Sequence, residues 1–351
     1  MRKIVKLLFV CLLCLILAGF IYVGFILIYG SATSFNPEIK IQAKVQGQGL
    51  IRIDTSNPIR LVSWNIGYAG LGEEMDFFYE GGKMVRPTQE RNKIYLSGIA
   101  SFLESQAFRD FILLQEVDFD SKRSYGENQF KEVAGLLPAF VSSIALNYKS
   151  GFVPVPFTEP MGRVEAGLVT FSKYQPVSAA RIATPGSYAW PMRLFQLKRC
   201  FLVNRFHTNS GKDLVLIHLH NSAFDDADEL REQELGLLKE IAVKAFEEGN
   251  YVIAAGDWNQ NPPQWMTDKT KKYEVDQVRP IVQSHFPSDW TWAFDPSLPT
   301  NRDVSAPFDL QNSKTSLIDF YLLSPNIKLL QVETIDLEFE NSDHLPVTIE
   351  V

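Results

Sequence analysis

The apolar positions of this chain fall into three regimes. From Leu7 to Tyr29 no charged residue occurs, and Arg2, Lys3 and Lys6 precede the run. A helix over that stretch would span about 30 Å or a little more, enough for the hydrocarbon core of a bilayer. Residues 31–58 are of mixed polarity and read as a tether, with a short strand expected around Ile39 to Val45. From residue 59 to 351, brief β-like runs alternate with helical periodicity. Strands are predicted at Arg60–Trp64, Phe111–Leu114, Gly167–Phe171, Phe201–Arg205, Leu214–Leu219, Tyr251–Ala255, Ser316–Leu322 and Leu345–Val351. One helix is predicted over Gln89–Glu104, with Ile94, Ile99, Phe102 and Leu103 inward. A second covers Asp226–Glu248, where Leu230, Leu237, Leu238, Ile241 and Ala245 recur at helical spacing. Asp225 or Asp226 would cap its start and Gly249 suits its end. No linker divides residues 59–351, so one α/β domain with antiparallel or mixed sheets is expected.

The first regime predicts an anchor, residues 1–30, that contacts the lipid bilayer through residues 7–29. Tyr22 and Tyr29 suit its outer interface. The run exceeds the usual core of a secretory signal, which favours an uncleaved helix, although Gly30-Ser31-Ala32 offers small residues for cleavage. Basic residues before the span place the N-terminus inside and the bulk of the chain outside the cytoplasmic membrane, in a single pass.

A formal net charge of −7 argues against a broad basic surface for non-specific nucleic-acid binding, though a local basic patch would suffice for a nuclease. Cys11 and Cys14 lie in the apolar run, which leaves Cys200 alone in the domain and allows no disulfide there. Cys200 reads as a core residue.

Candidate chemistry sits mostly where the apolar runs end. Ser63-Trp64-Asn65 is followed by Gln115-Glu116-Val117-Asp118, His218-Leu219-His220-Asn221 and Gly256-Asp257-Trp258-Asn259. Ile318-Asp319-Phe320 and Ser342-Asp343-His344 complete the set. Polar groups at the ends of buried strands are costly unless paired, solvated or bound to metal. In extended backbone, Asp257 and Asn259 point one way and Trp258 the other. Hard oxygen donors such as Glu116 and Asp257 suit Mg²⁺ or Mn²⁺ better than zinc. Carboxylates, amides and histidines together are what metal-assisted attack of water on a phosphate ester needs. Each cluster alone also has a plain structural reading: a turn, a surface salt bridge or a chance triplet.

Their order along the chain resembles the endonuclease/exonuclease/phosphatase (DNase I-like) superfamily, over nearly all of residues 59–351. The resemblance implies a four-layer α/β sandwich, two packed mixed sheets flanked by helices, and metal-dependent hydrolysis of a phosphate ester. It places Asn65, Glu116 and Asp343 around the metal, with Glu116 the direct ligand. Asp257 matches the aspartate that orients or deprotonates the attacking water, and Asn259 the amide that holds this water or a phosphate oxygen. Asp319 matches the carboxylate paired with the final histidine, His344. The chain has two histidines where one is usual; His220, at the strand's end, is preferred over His218, which is expected to be a buried neighbour. Trp258 stands where Phe or Leu is commoner.

The substrate is open among nucleic acid, a lipid head group and an inositol or sugar phosphate. The alternative function is a catalytically silent surface binding module on the same fold, but every expected position is filled. Gly81-Gly82-Lys83-Met84 lacks the spacing of a phosphate-binding loop. Residues 67–87 are either a substrate-facing lid or a variable loop. Lys122 and Arg123 are expected on a solvated helix face, and Trp290 and Trp292 in the core. His207 and His285 carry no motif.

Overall fold

The computed structural model describes residues 2–223, 229–265, 274–275 and 278–351. Helix α1 (Arg2–Ala32) projects from the domain with its apolar side chains facing outward; only Ile26 and Gly30 are buried. It is long and apolar enough to cross a membrane. The remainder packs as helix, sheet, sheet, helix.

One sheet contains β1 (Lys40–Gln42), β7 (Ser178–Ala183), β8 (Cys200–His207), β9 (Asp213–His220), β10 (Tyr251–Asp257), β15 (Asp319–Leu323) and β12 (Thr291–Ala293), in that spatial order. The other runs β16 (Gln331–Thr334), β17 (Val347–Glu350), β3 (Arg60–Asn65), β4 (Phe111–Asp118), β6 (Gly162–Ser172), β5 (Val141–Val153), β2 (Lys44–Gln46). A small third sheet joins β11 (Glu274–Val275), β14 (Lys314–Ser316) and β13 (Asn301–Arg302). Each large sheet is antiparallel except for one central parallel pair, β3 with β4 and β9 with β10. Parallel neighbours need a crossover, supplied by α2 (Gln89–Ser105) in one sheet. In the other, α4 (Glu229–Glu247) lies between them. The expected cap of α4 at Asp225 or Asp226 lies outside the described residues.

Between the sheets Leu61, Phe111, Leu113, Leu216, Ile253 and Tyr321 form the central core. Outer cores pack α2 and α3 (Gln129–Leu136) on one sheet and α4 on the other. Thr88 caps α2 by accepting from Arg91 N–H at 3.2 Å, which sets the face it buries: Tyr95, Leu96, Ile99 and Leu103. Ile94, expected inward, is exposed, because Tyr95 and Ile99 already fill the inward stripe at i and i+4. In α4 the buried stripe is Leu235, Leu238, Ala242 and Ala245, with Leu237 and Ile241 at its margin. The run predicted as one strand from Ser316 to Leu322 breaks at Leu317-Ile318, where the backbone N–H groups of Ile318 and Asp319 both turn to Thr300 Oγ1 at 2.9 Å. Residues 39–46 form two strands, not one: β1 closes the edge of one sheet and β2 that of the other, with Ala43 buried between them.

Candidate active site

The two parallel pairs end at the same rim of the sandwich, where polar side chains can leave the core. Asn65 closes β3, Glu116 lies near the end of β4, His220 closes β9 and Asp257 closes β10. Asp319 opens β15, paired directly across from Asp257, and Asp343-His344 precede β17.

Local backbone features aim these groups. The pairing of β4 with β6 shifts register between Leu114 and Val117, and Glu116 sits in that irregularity with φ of 57°. A bulge redirects one side chain out of the ladder, and here it turns the Glu116 carboxylate into the cleft. Gly256 has φ of 143°, and a Cβ there would come within 1.9 Å of the Leu219 carbonyl oxygen. Only glycine allows this approach of β10 to β9, which brings Asp257 beside His220. Trp258 anchors the turn from inside: its indole donates to the Phe320 carbonyl at 2.9 Å and stacks on the Phe320 ring.

The resulting cluster is dense. Asp257 Oδ2 lies 3.3 Å from His220 Nε2 and 3.7 Å from His344 Nε2. Asn65 Nδ2 donates to Asp257 Oδ2 at 3.1 Å and approaches Glu116 Oε1 at 3.4 Å. His344 Nδ1 meets Asp319 Oδ2 at 2.8 Å, and its Nε2 lies 3.9 Å from Asp343 Oδ2. Asn259 takes the left-handed conformation, donates its backbone N–H to Asp257 Oδ1 at 2.9 Å and its Nδ2 to the Asn221 carbonyl at 2.9 Å. All eight residues proposed from the sequence thus stand around one rim.

Burial sets their charge states. It pushes the Asp257 carboxyl up to about 7, with Asp319 adding repulsion and His344 opposing. Burial likewise pushes Asp343 up to about 7. For His344 burial works against the cation, but Asp319, Asp343 and Asp257 together outweigh it and hold the imidazole well above its ordinary range. His220 goes the other way: burial, then Arg199 and His344, drive it well below. The two histidines at this rim therefore differ in charge near neutral pH.

His218 is separate from the cluster. It is fully buried between the sheets, with Nε2 2.6 Å from Gln115 Nε2 and Nδ1 3.0 Å from Thr170 Oγ1. Burial lowers its pKa to about 3, so it ties β9 to β4 and β6 as a neutral ring.

The donor set fits a hard divalent cation. Four carboxyl groups (Glu116, Asp257, Asp319 and Asp343) converge there, an oxygen-rich set of the kind such a cation takes. Among the described residues, ligating atoms of Asp257, Asp319 and His344 lie within 4.8 Å of one another. Asp319 and His344 are engaged with each other, however. Glu116 and Asp343 face the open cleft, and among the described residues Glu116 makes long contacts to Asn65 (3.4 Å) and His220 (3.9 Å).

Several residues of the site carried no sequence signal. Asn301 Nδ2 lies 3.1 Å from His344 Nε2. Arg123, expected in solvent, is buried: it forms a bidentate pair with Asp118 and stacks on the Tyr68 ring, 3.7 Å from its centroid. Its strong cation lines the cleft, as do Arg199 and Tyr148. Residues 67–87 contribute Tyr68, Leu71, Phe77 and Tyr79 to one cleft wall. Trp290 and Trp292 belong to the core around α4, as expected. His207 pairs with Asp213 at 2.8 Å and His285 with Glu232 at 3.1 Å, both away from the cleft. Cys200 is buried, its thiol pushed up to about 11 by that burial.

Two mixed sheets flanked by helices, with polar residues gathered at the ends of the central strands, define a DNase I-like fold. The chain belongs to the endonuclease/exonuclease/phosphatase family, whose model matches residues 62–344. Among solved structures it is similar to an endonuclease/exonuclease/phosphatase from Beutenbergia cavernae, with a TM-score of 0.56 at 17% identity over 84% of this chain and 71% of that one. It also resembles truncated TDP2 from Caenorhabditis elegans, with a TM-score of 0.53 at 12% identity over 86% of this chain and 98% of the other. The human Nocturnin catalytic domain matches with a TM-score of 0.52 at 17% identity, covering 90% and 98% of the two chains. No curated protein matches the sequence. At these identities the structural likeness establishes the fold.

Proposed function

We propose that the chain is a membrane-anchored, metal-dependent hydrolase of phosphate esters. The observation that carries this reading is the rim itself: Asp257, its carboxyl pushed up to about 7 by burial, stands 3.3 Å from His220 and 3.7 Å from His344, whose imidazoles are shifted in opposite directions. A base with a pKa near the working pH is well matched to taking a proton from water. Asp257 orients and deprotonates the water, while Asn259 holds the water or a phosphate oxygen. His344, fixed by Asp319, places positive charge where the pentacoordinate transition state becomes more negative. His220, a neutral ring, donates its N–H to the same oxygens. Glu116 and Asp343, with Asn65 beside them, would hold Mg²⁺ (or Mn²⁺), which supplies Lewis-acid polarisation of the phosphate.

Support for a membrane location comes from α1, a helix with no charge between Leu7 and Tyr29. In this reading it spans the cytoplasmic membrane with Arg2, Lys3 and Lys6 inside and the catalytic domain outside. The purified full-length protein in detergent should hydrolyse a generic phosphodiester with Mg²⁺, lose that activity to chelator, and lose it by orders of magnitude on Asp257→Ala with an unchanged circular-dichroism spectrum. An active Asp257→Ala protein would overturn the mechanism.

A further inference from the structure

We infer that the cleft opens onto the outer face of the bilayer that holds α1, and that the ester hydrolysed there is carried by a lipid. The inference rests on the phosphoesterase reading above and names its substrate class.

Two segments of the domain reach both the anchor and the cleft. The first follows β5. Its Phe157 ring packs edge-on against Tyr22 of α1, centroids 5.7 Å apart, and a few residues later Met161 lines the cleft. The second precedes β8. Trp190 and Leu194 lie beside Ser31 and Ser34, where α1 leaves the apolar run. Phe195 covers Gly30 so closely that a Cβ there would come within 2.8 Å. The same segment supplies Tyr188, Leu197 and Arg199 to the cleft. It is fixed in place by Tyr148, whose hydroxyl donates to the Phe195 carbonyl at 2.9 Å.

The depth of these contacts follows from helix geometry. Tyr22 lies two turns before Tyr29, about 10 Å along the axis. Of the two tyrosines expected at the outer interface, only Tyr29 takes that place in this arrangement, so Phe157, which touches Tyr22, lies at the level of the acyl chains. Its exposure fits that placement: Phe157 is 76% exposed, Trp190 57% and Met192 53%. Large apolar side chains gathered beside a membrane-crossing helix have a natural occupant in the same bilayer. Trp190 at the helix exit suits the head-group belt, and Arg193 on the same loop meets lipid phosphates. A cleft walled by these two segments receives a phosphate from the head-group layer without lifting the lipid far from it. Within the cleft the water oxygen bonds to phosphorus, the P–O bond to the leaving alcohol breaks, and the water's proton ends on that alcohol.

The test uses the full-length protein reconstituted in phosphatidylglycerol–phosphatidylcholine vesicles with Mg²⁺. Release of water-soluble head-group products is followed beside hydrolysis of bis(4-nitrophenyl) phosphate, plasmid DNA and inositol phosphates. The wild type should cleave vesicle lipid in a chelator-sensitive way. Phe157→Ser and Trp190→Ser should lower lipid turnover at least tenfold and leave the soluble diester within twofold. Equal loss on both substrates, or soluble turnover with intact lipid, would overturn the inference while sparing the phosphoesterase reading. No chelator-sensitive hydrolysis of any ester would remove both. Membrane depth has its own readout in Phe157→Trp: its added fluorescence should be quenched by acyl-chain-brominated lipid, and an unquenched signal would refute the embedding.

Discussion

Asp319 Oδ2 holds His344 Nδ1 at 2.8 Å, joining the first residue of β15 to the segment that enters β17. The imidazole can thus keep its outward nitrogen, Nε2, directed at Asp257. Asp319→Asn keeps the shape but removes the carboxylate that does most to hold His344 above its ordinary range. Turnover should fall on the order of 10²–10⁴-fold, the usual span for a mispositioned acid–base group. The ratio of wild-type to variant rates should widen from pH 6.5 to pH 8.5, since the variant's imidazole loses its proton sooner. A ratio that stays flat with pH would show that His344 does not act as a cation.

The two histidines of β9 should separate by readout. His220→Gln removes a group 3.3 Å from Asp257 and should reduce kcat by at least 10²-fold with little change in unfolding midpoint. His218→Ala empties a fully buried position and strands Gln115 and Thr170, so it should cost about 1–3 kcal/mol in urea unfolding. Activity of that variant should remain within tenfold. If His218→Ala abolished turnover at unchanged stability, the assignment of the two would have to be reversed.

The contrast between them also shows what the sequence made legible. Central strands such as Leu214–Leu219 and Tyr251–Ala255 are buried on both faces, so they read as continuous apolar runs ending in polar motifs. That is why the rim residues stood out in order. β5 has no such apolar run, because Ser142, Ser143, Asn147 and Ser150 interrupt it, although all four are buried in the structure. The left-handed Glu116 left no trace either, since no glycine marks it. Arg123 read as solvated because its stacking partner, Tyr68, comes from a distant loop. Asn301 reaches His344 only through tertiary contact.

Arg123 and Asp118 form a pair with side chains 6% and 0% exposed. Asp118 is further held by Ser124 Oγ at 2.8 Å. Removing one partner leaves the other buried and unmatched, which costs about 3–5 kcal/mol. Asp118→Leu and Arg123→Met should each lose that much in denaturant unfolding. The double substitution Asp118→Leu with Arg123→Met should recover a large part of it. Additive losses in the double variant would mean that each side chain acts through separate contacts.

Stability of the metal-free protein should fall as pH rises from about 6.5 to 8. Asp257 and Asp343 have folded pKa values of about 7, above the ordinary 3.8, so the native state holds protons that the unfolded chain has released. Stability from such groups is present at low pH and lost as pH rises through 7. His344, also raised, adds to the same trend, its contribution complete below 6.5 and lost as pH passes its folded value. His218 and His220 are lowered and act in the opposite sense, but only below 6.5, where the unfolded imidazoles are protonated. Above 6.5 the acids and His344 therefore decide the slope. A divalent cation favours the deprotonated carboxylates, so its stabilisation should grow over the same window. Thermal unfolding with EDTA and with Mg²⁺ at pH 6.5 and 8 measures both effects. The Mg²⁺ increment in melting temperature should be larger at pH 8 and should vanish in Glu116→Gln with Asp343→Asn. An increment independent of pH, or one surviving in that double variant, would place the cation elsewhere.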